Sequence, residues 1–220
     1  MNEKIAFLGE DLTFPNPLFA PKSSPLAIGG DLSVERLSAA YREGIFPWFE
    51  EGLPPLWWSP NPRCVLFPNE YHINKTLRRF IRRYKVAFDT DFDALVRLCA
   101  KREKTWITSN MHRAYVELHK NGKAHCVSVY ENDLLIGGVY GVCVGEIFCG
   151  ESMVSLRANA SKVALWALIH KFSTKLRLID CQVPNPHLIS LGARVIERNE
   201  FLKILKAGRD EPCPFGECKC

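Results

Sequence analysis

No apolar run in this 220-residue chain approaches the roughly 20 residues that a membrane-spanning helix needs. The opening Met-Asn-Glu-Lys has no apolar h-region, so no secretory leader is expected, and the chain reads as a cytoplasmic protein without a membrane partner. No G-x-S-x-G, P-loop, G-x-G-x-x-G or H-E-x-x-H occurs, which removes the commonest serine-hydrolase, nucleotide-triphosphatase, dinucleotide and zinc-peptidase signatures. Histidine is sparse and scattered, and His125 and His170 read as packing or surface residues rather than ligands. Internal repeats and low-complexity segments are also lacking. Acid falls short of base, with 24 Asp and Glu against 29 Lys and Arg. The resulting net charge of +5 permits a polyanionic partner without requiring one.

What is present begins with 47% hydrophobic residues, enough for a sizeable core. Nine cysteines suggest a disulfide scaffold, but Cys64, Cys99, Cys126, Cys143, Cys149 and Cys181 each sit alone inside apolar runs. That pattern fits reduced, buried and inert thiols. The carboxyl-terminal Cys213, Cys218 and Cys220 are different, crowded among Pro212, Pro214 and Gly216 with the spacing C-x4-C-x-C. This spacing lacks the second pair of ligands that zinc sites usually show. A disordered or oxidisable tail is expected, and no metal is assigned.

Prolines at 47, 54, 55, 60, 62 and 68 forbid long regular elements early in the chain. Residues 1–60 therefore read as a small loop-rich domain, with a helix capped by Ser33 and ended by Gly44. From 61 to 208 the pattern changes. Helices are expected from Asn74 to about Tyr84, from Asp91 to Lys101, and from a Ser109 cap to Asn121. Strands follow at 124–130, 134–143 and 146–150, with Gly137, Gly138 and Gly141 marking a bulge or a close backbone approach. A long helix from Asn159 to Phe172, a strand at 178–183, a short helix at 187–191 and a last helix at 199–206 complete the region. Residues 209–220 form the Cys-rich tail. The order predicts an α+β fold with a mixed, mostly antiparallel sheet. It is compatible with a GCN5-related N-acetyltransferase-like domain. Those enzymes grip the coenzyme A pyrophosphate on a glycine-rich loop before the long helix, whereas this chain has Ser155-Leu156-Arg157-Ala158-Asn159-Ala160-Ser161. Without glycines the backbone amides cannot close on a pyrophosphate, which favours another acyl donor.

Three features point to function. In the strand Leu178-Ile179-Asp180-Cys181-Gln182-Val183, period-two alternation would set Asp180 and Gln182 on one face, with Glu151 of Phe148–Met153 nearby. Such a polar cluster in apolar surroundings is costly unless it is paired or put to use. The bland alternative is a strand end capping a turn. Next, Lys75, Arg78, Arg79, Arg82 and Arg83 place five cations within nine residues, uninterrupted by acid. An ordinary solvated face mixes both signs for i,i+4 pairing, so an anionic partner such as nucleic acid would relieve this one. Finally, Trp48, Trp57, Trp58 and Trp106 lie at loop edges. They either stack bases or pin a loop-rich domain, and for Trp57 and Trp58 pinning is the better account.

Read together, Ala27-Ile28-Gly29-Gly30-Asp31-Leu32, Gly44-Ile45-Phe46-Pro47-Trp48-Phe49, Trp57-Trp58-Ser59-Pro60 and Thr105-Trp106-Ile107-Thr108 resemble successive blocks of the leucyl/phenylalanyl-tRNA–protein transferases. Phe148–Met153, Asn159-Ala160-Ser161-Lys162 and Leu178–Val183 continue the resemblance, which spans about residues 14–200. It implies a cytoplasmic enzyme of the N-degron pathway. The donors would be Leu-tRNA and Phe-tRNA (less well Met), and the acceptors proteins with N-terminal Arg or Lys. A monomer is expected, with neither metal nor coenzyme A. By resemblance, Asp180 and Gln182 are the catalytic pair, with Asn185 in their hydrogen-bond network and Glu151 orienting the site. Asp180 would polarise Gln182 or attract the cationic acceptor terminus. Trp48 and Trp106 would surround the terminal adenosine and aminoacyl group. Val139, Phe148, Met153, Ser155, Leu165, Leu168 and Phe172 would line the donor pocket. Val139 stands where the family pattern suggests a bulkier Met, which implies a wider slot. The helix at 75–83 would face the tRNA acceptor stem. Two other classes fit parts of the pattern: a coenzyme A-dependent N-acetyltransferase and a non-catalytic RNA-binding module. A third alternative is a relative that uses aminoacyl-tRNA on another acceptor, such as a cell-wall peptide.

Overall fold

The computed structural model describes residues 5–102 and 105–216. Cys218 and Cys220 of the tail lie outside them. The first elements are β1 (Ala6–Leu8), β2 (Ala27–Gly29), α1 (Val34–Arg42), β3 (Phe46–Pro47) and β4 (Leu56–Trp58). The prolines hold these strands to two or three residues, and they form a sheet of order β1-β2-β4-β3. Ser33 caps α1 by accepting from the Arg36 amide. Trp57 is fully buried and donates its indole N–H to the Gly29 carbonyl at 2.9 Å. Trp58 donates to the Trp48 carbonyl at 2.7 Å. Both tryptophans therefore pin the loops around them.

The second sheet is built from β5 (Arg63–Leu66), α2 (Lys75–Arg83), β6 (Lys85–Phe88), α3 (Phe92–Ala100), α4 (Ser109–Lys120), β7 (Ala124–Glu131), β8 (Leu134–Val144) and β9 (Ile147–Ser155). After these come α5 (Ala160–Phe172), β10 (Leu178–Gln182), α6 (Pro186–Ser190), β11 (Arg194–Ile196) and α7 (Arg198–Gly208). Its order is β11-β5-β10-β9-β8-β7-β6. Only β9 and β10 run parallel; the other neighbours are antiparallel. The chain is thus a mixed α+β protein. No helix among the described residues is long and apolar enough to cross a membrane.

Helices cover both faces of this sheet, so β7, β8 and β9 are buried on both sides and read as near-continuous apolar runs. On one face Tyr140, Val142 and Cys149 pack with Leu95, Val96 and Cys99 of α3 and Met111, Tyr115 and Leu118 of α4. The same cluster takes in Leu37, Tyr41 and Trp57, so the amino-terminal sheet shares this core rather than closing one of its own. On the opposite face Val127, Val139, Phe148 and Ile179 pack with Val163, Leu165, Leu168 and Phe172 of α5.

Three local expectations change. Helix α4 is capped by Thr108, whose hydroxyl accepts from the Met111 amide at 3.2 Å, and not by Ser109. Asp91 precedes α3 in a left-handed conformation without capping it, because its carboxylate accepts from the Tyr130 hydroxyl instead. Strand β9 continues to Ser155, five residues past its expected end at 150. The tail is also not free over its described part: Cys213 and Phe215 pack against the α5 side of the sheet.

Candidate active site

The parallel pairing of β9 with β10 runs from Ile147–Leu178 to Cys149–Asp180 and stops there. Beyond that rung each strand carries one extra residue. On β9, Tyr140 pairs with Ser152 and Gly141 with Gly150, which leaves Glu151 unpaired. On β10, Asp180 pairs with Val65 and Gln182 with Cys64, which leaves Cys181 unpaired. A bulge bends its strand and re-aims the neighbouring side chains. Gly141 permits the first bulge, since a Cβ there would stand 2.2 Å from the Cys149 carbonyl oxygen. The second leaves Gln182 at φ 61°. As the strands part, their side chains meet across the gap: the Gln182 amide Nε2 donates to Glu151 Oε1 at 2.8 Å.

Glu151 sits at the floor of this opening with 8% exposure. Its other oxygen accepts from the Tyr115 hydroxyl at 2.6 Å, and the Tyr115 and Tyr41 hydroxyls are 2.8 Å apart. Burial pushes the Glu151 carboxyl up to about 7 against the pull of these donors, and the Asp180 charge adds to the rise. The Tyr41 and Tyr115 hydroxyls are held well above their ordinary values, chiefly by burial and then by the Glu151 charge. They therefore remain donors. With Nε2 committed to Glu151, Gln182 Oε1 is left as an acceptor.

Asp180 does not line the opening. It is 1% exposed and forms a two-point pair with Arg63, Nε to Oδ1 at 2.8 Å and the outer guanidinium nitrogen to Oδ2 at 2.6 Å. The Arg63 guanidinium lies 4.9 Å from the Phe46 ring centre and 4.4 Å from that of Phe201. Oδ1 also accepts from the Gln182 backbone amide at 2.9 Å, so this ion pair anchors the bulge that aims Gln182. The bulge, rather than strand alternation, sets the relation between the two residues.

The opening is a cavity of about 670 Å³. Glu151, Gln182 and Asn185 line it, as do Trp48, Trp106, Val139, Phe148, Met153, Ser155 and Leu165. Leu168 and Phe172 do not: both are buried behind the wall, Phe172 edge-on to Phe88. Asn185 also caps α6 by accepting from the Leu188 amide at 2.9 Å. Trp48 is 44% exposed and stands 5.5 Å from Trp58. Ser155 Oγ accepts from the Ser161 amide at 2.9 Å, so this first-turn amide of α5 is already paired. Lys75, Arg78, Arg79, Arg82 and Arg83 are all exposed on α2, with Arg83 paired to Glu131. Helix α2 packs beside α5, and Tyr84 donates to the Ala158 carbonyl next to exposed Arg157.

Sequence reasoning missed Arg63, Tyr41, Tyr115 and Arg102. Arg63 was discoverable as a cation opening the apolar run Cys64-Val65-Leu66, where burial demands a partner. Tyr41 and Tyr115 lie on the apolar stripes of their helices and look like plain core. Arg102 donates to Ser152 Oγ at 2.6 Å and lines the cavity, with no local pattern to mark it.

Comparison with known proteins agrees with this architecture. Residues 65–206 match the family described as leucyl/phenylalanyl-tRNA protein transferase, and residues 30–61 match its amino-terminal domain. A leucyl/phenylalanyl-tRNA–protein transferase of Pseudomonas fluorescens (strain Pf0-1) is 50% identical over 211 residues, covering 91% of this chain and 93% of the relative. One from Pseudomonas entomophila is 51% identical, covering 92% and 94%. One from Shewanella loihica is 47% identical, covering 94% and 92%. The chain belongs to the leucyl/phenylalanyl-tRNA–protein transferase family of enzymes.

Proposed function

We propose that this chain moves Leu or Phe, and less well Met, from aminoacyl-tRNA to the α-amino group of proteins that begin with Arg or Lys, marking them for degradation by the N-degron pathway. The observation that carries this reading is the hydrogen-bonded Glu151–Gln182 pair opening on a largely apolar cavity. Val139, Phe148, Met153 and Leu165 offer the aminoacyl side chain an apolar wall. Trp48 and Trp106 line the same cavity and suit the terminal adenosine. The basic face of α2, continued by Arg157, suits acceptor-stem phosphates, which position the tRNA without being read as sequence.

An aminoacyl ester is already activated, so the site has to align it with the amine and manage one proton. Alignment alone can supply about 7–11 kcal/mol of the barrier. Gln182 Oε1 accepts a hydrogen bond from the α-amine. The amine nitrogen attacks the ester carbonyl carbon, the ester bond to the ribose oxygen breaks, and the amide bond forms. Glu151, ionising near neutrality, takes the amine's proton, which passes to the departing ribose oxygen so that the tRNA leaves with a free hydroxyl. The Asp180 charge is satisfied by Arg63, so attraction of the acceptor's cationic terminus falls to Glu151. Asp180 is then a positioning residue for Gln182, and Leu168 and Phe172 support the pocket from behind.

The parting of the parallel pair β9 and β10 around the site supports an N-acetyltransferase-like reading of residues 61–208, with residues 1–60 as the smaller domain. The occupied Ser161 amide supports an acyl donor other than coenzyme A. A cytoplasmic monomer is part of the same proposal. The test is transfer of radiolabelled Phe from Phe-tRNA to an Arg-initiated protein, with Gln182→Ala as control. Transfer that falls at least tenfold in the variant is expected. Absence of transfer by the unaltered chain, despite tight binding of Phe-tRNA, overturns the proposal in favour of an RNA-binding module or another acceptor.

A further inference from the structure

Away from the cavity, three soft donors from separate parts of the chain converge on the α5 side of the sheet. His125 on β7, Cys143 on β8 and Cys213 of the tail each offer one atom, and all three atoms lie within 4.8 Å of one another. His125 pairs with Gly141, so Cys143 stands diagonally two residues on along β8. Cys213 arrives from the far side. After α7, the tail passes the β8–β9 turn, where Glu146 donates its amide to the Gly208 carbonyl at 3.0 Å. It then closes a turn from Cys213 to Gly216. Phe215 stacks on His125 with ring centres 4.2 Å apart and packs 4.6 Å from Phe172.

The imidazole is oriented from behind. The Asp89 carboxylate lies 2.9 Å from His125 Nδ1, and its other oxygen accepts from the Cys126 amide at 3.0 Å. A carboxylate on one ring nitrogen is the usual device that fixes a metal-bound histidine and turns its second nitrogen to the ion. Here that nitrogen, Nε2, faces Cys213 Sγ at 3.7 Å. Sulfur and nitrogen bound tetrahedrally to one zinc ion stand about 3.5 Å apart, and two sulfurs about 3.8 Å. Neither His125 nor Cys143 belongs to the transfer site, and their burial leaves them no solvent partner.

We infer that His125, Cys143 and Cys213 hold three of the four tetrahedral positions of a zinc ion, a water on the half-exposed Cys213 side taking the fourth, and so fasten the carboxyl-terminal tail to the back of the catalytic sheet. Two thiolates and an imidazole are soft ligands suited to zinc. Through Phe215, which packs against Phe172 and 6.1 Å from Phe148, the site braces the wall of the cavity from behind. It is independent of the assignment of substrates.

The test is the zinc content of the purified full-length chain by plasma mass spectrometry, alongside Cys213→Ser and Cys218→Ser/Cys220→Ser variants. About one zinc per chain is expected in the unaltered protein and in the double variant. Loss is expected in Cys213→Ser with the far-ultraviolet circular dichroism retained. Cobalt exchanged into the unaltered chain should give thiolate charge-transfer bands and the intense visible bands of a tetrahedral ion, which keeps the test open should a variant misfold. Folded protein with no zinc and no such cobalt spectrum overturns the inference. So does zinc that survives Cys213→Ser, zinc lost only with Cys218 and Cys220, or a Cys143–Cys213 disulfide in the protein as purified.

Discussion

Replacing Glu151 with Gln tests whether a buried carboxyl tuned to neutrality sits at the floor of the site. Burial raises this group from 4.5 to about 7. A shift of that size corresponds to about 3 kcal/mol of penalty on the charged form in the folded chain. Between these two values the native protein binds more protons than the unfolded one, so stability falls as pH rises through the window. Below 4.5 the group is protonated in both states and the contribution is fully present; above about 7 it is lost. Gln keeps the shape and removes the titration. Urea unfolding at pH 5, 6, 7 and 8 should therefore show the variant gaining on the unaltered chain by about 2–3 kcal/mol across the series. The same variant should lose transfer at every pH, because no carboxylate remains to take the amine's proton. Parallel stability curves for the two proteins would refute the tuned-carboxyl account. Undiminished transfer by the variant would separately remove Glu151 from proton transfer.

Asp180→Ala leaves the Arg63 guanidinium buried without its partner, so a loss of about 3–5 kcal/mol is expected in thermal or urea unfolding. In the protein that remains folded, transfer should fall at least tenfold while tRNA binding stays within a factor of a few; unchanged turnover would free Gln182 from its anchor. Changing Arg78, Arg79, Arg82 and Arg83 to Gln should weaken tRNA binding and flatten its dependence on salt, measured by filter binding, at nearly one unit of slope for each phosphate no longer neutralised. An identical slope would move the tRNA surface elsewhere. Val139→Met fills part of the donor wall and should change the Leu:Phe ratio by the equivalent of about 1–3 kcal/mol in competition assays, whereas an unaltered ratio would take Val139 out of the specificity wall. Gly141→Ala drives a Cβ to 2.2 Å from the Cys149 carbonyl oxygen. It should cost stability by about 1–3 kcal/mol or more, and a neutral result would argue against the β9 bulge.

The elements legible in the sequence are those whose signals are local. The Ser33 cap of α1 and the start of α2 at Asn74 sit where side-chain chemistry puts them. The three glycines of β8 announced crowding, and the close approach of Gly141 to the Cys149 carbonyl bears that out. Strand β9 looked shorter than it is because Glu151 and Ser152 interrupt the apolar alternation. Their polarity marks a bulge in a continuing strand rather than its end. The same misreading touched Asp180 and Gln182. Both residues were visible as expensive, but alternation placed them as equals on one face. The extra residue Cys181 divides their work instead, turning Asp180 to Arg63 and Gln182 to Glu151.

What stayed hidden depends on side chains that meet from distant segments. Arg63 and Asp180 are 117 residues apart, and His125 and Cys213 are 88. No spacing rule reaches across such separations, since each partner looks ordinary among its own neighbours. The cysteines illustrate the point. Within the tail alone, C-x4-C-x-C is too poor a ligand set for a metal. The fold supplies the missing donors from β7 and β8, whose thiol and imidazole had each read as core. A buried His or Cys is inert only while its neighbours are apolar. Once Asp89 fixes one ring nitrogen and Cys213 meets the other, the same burial that made His125 look structural makes it a competent ligand.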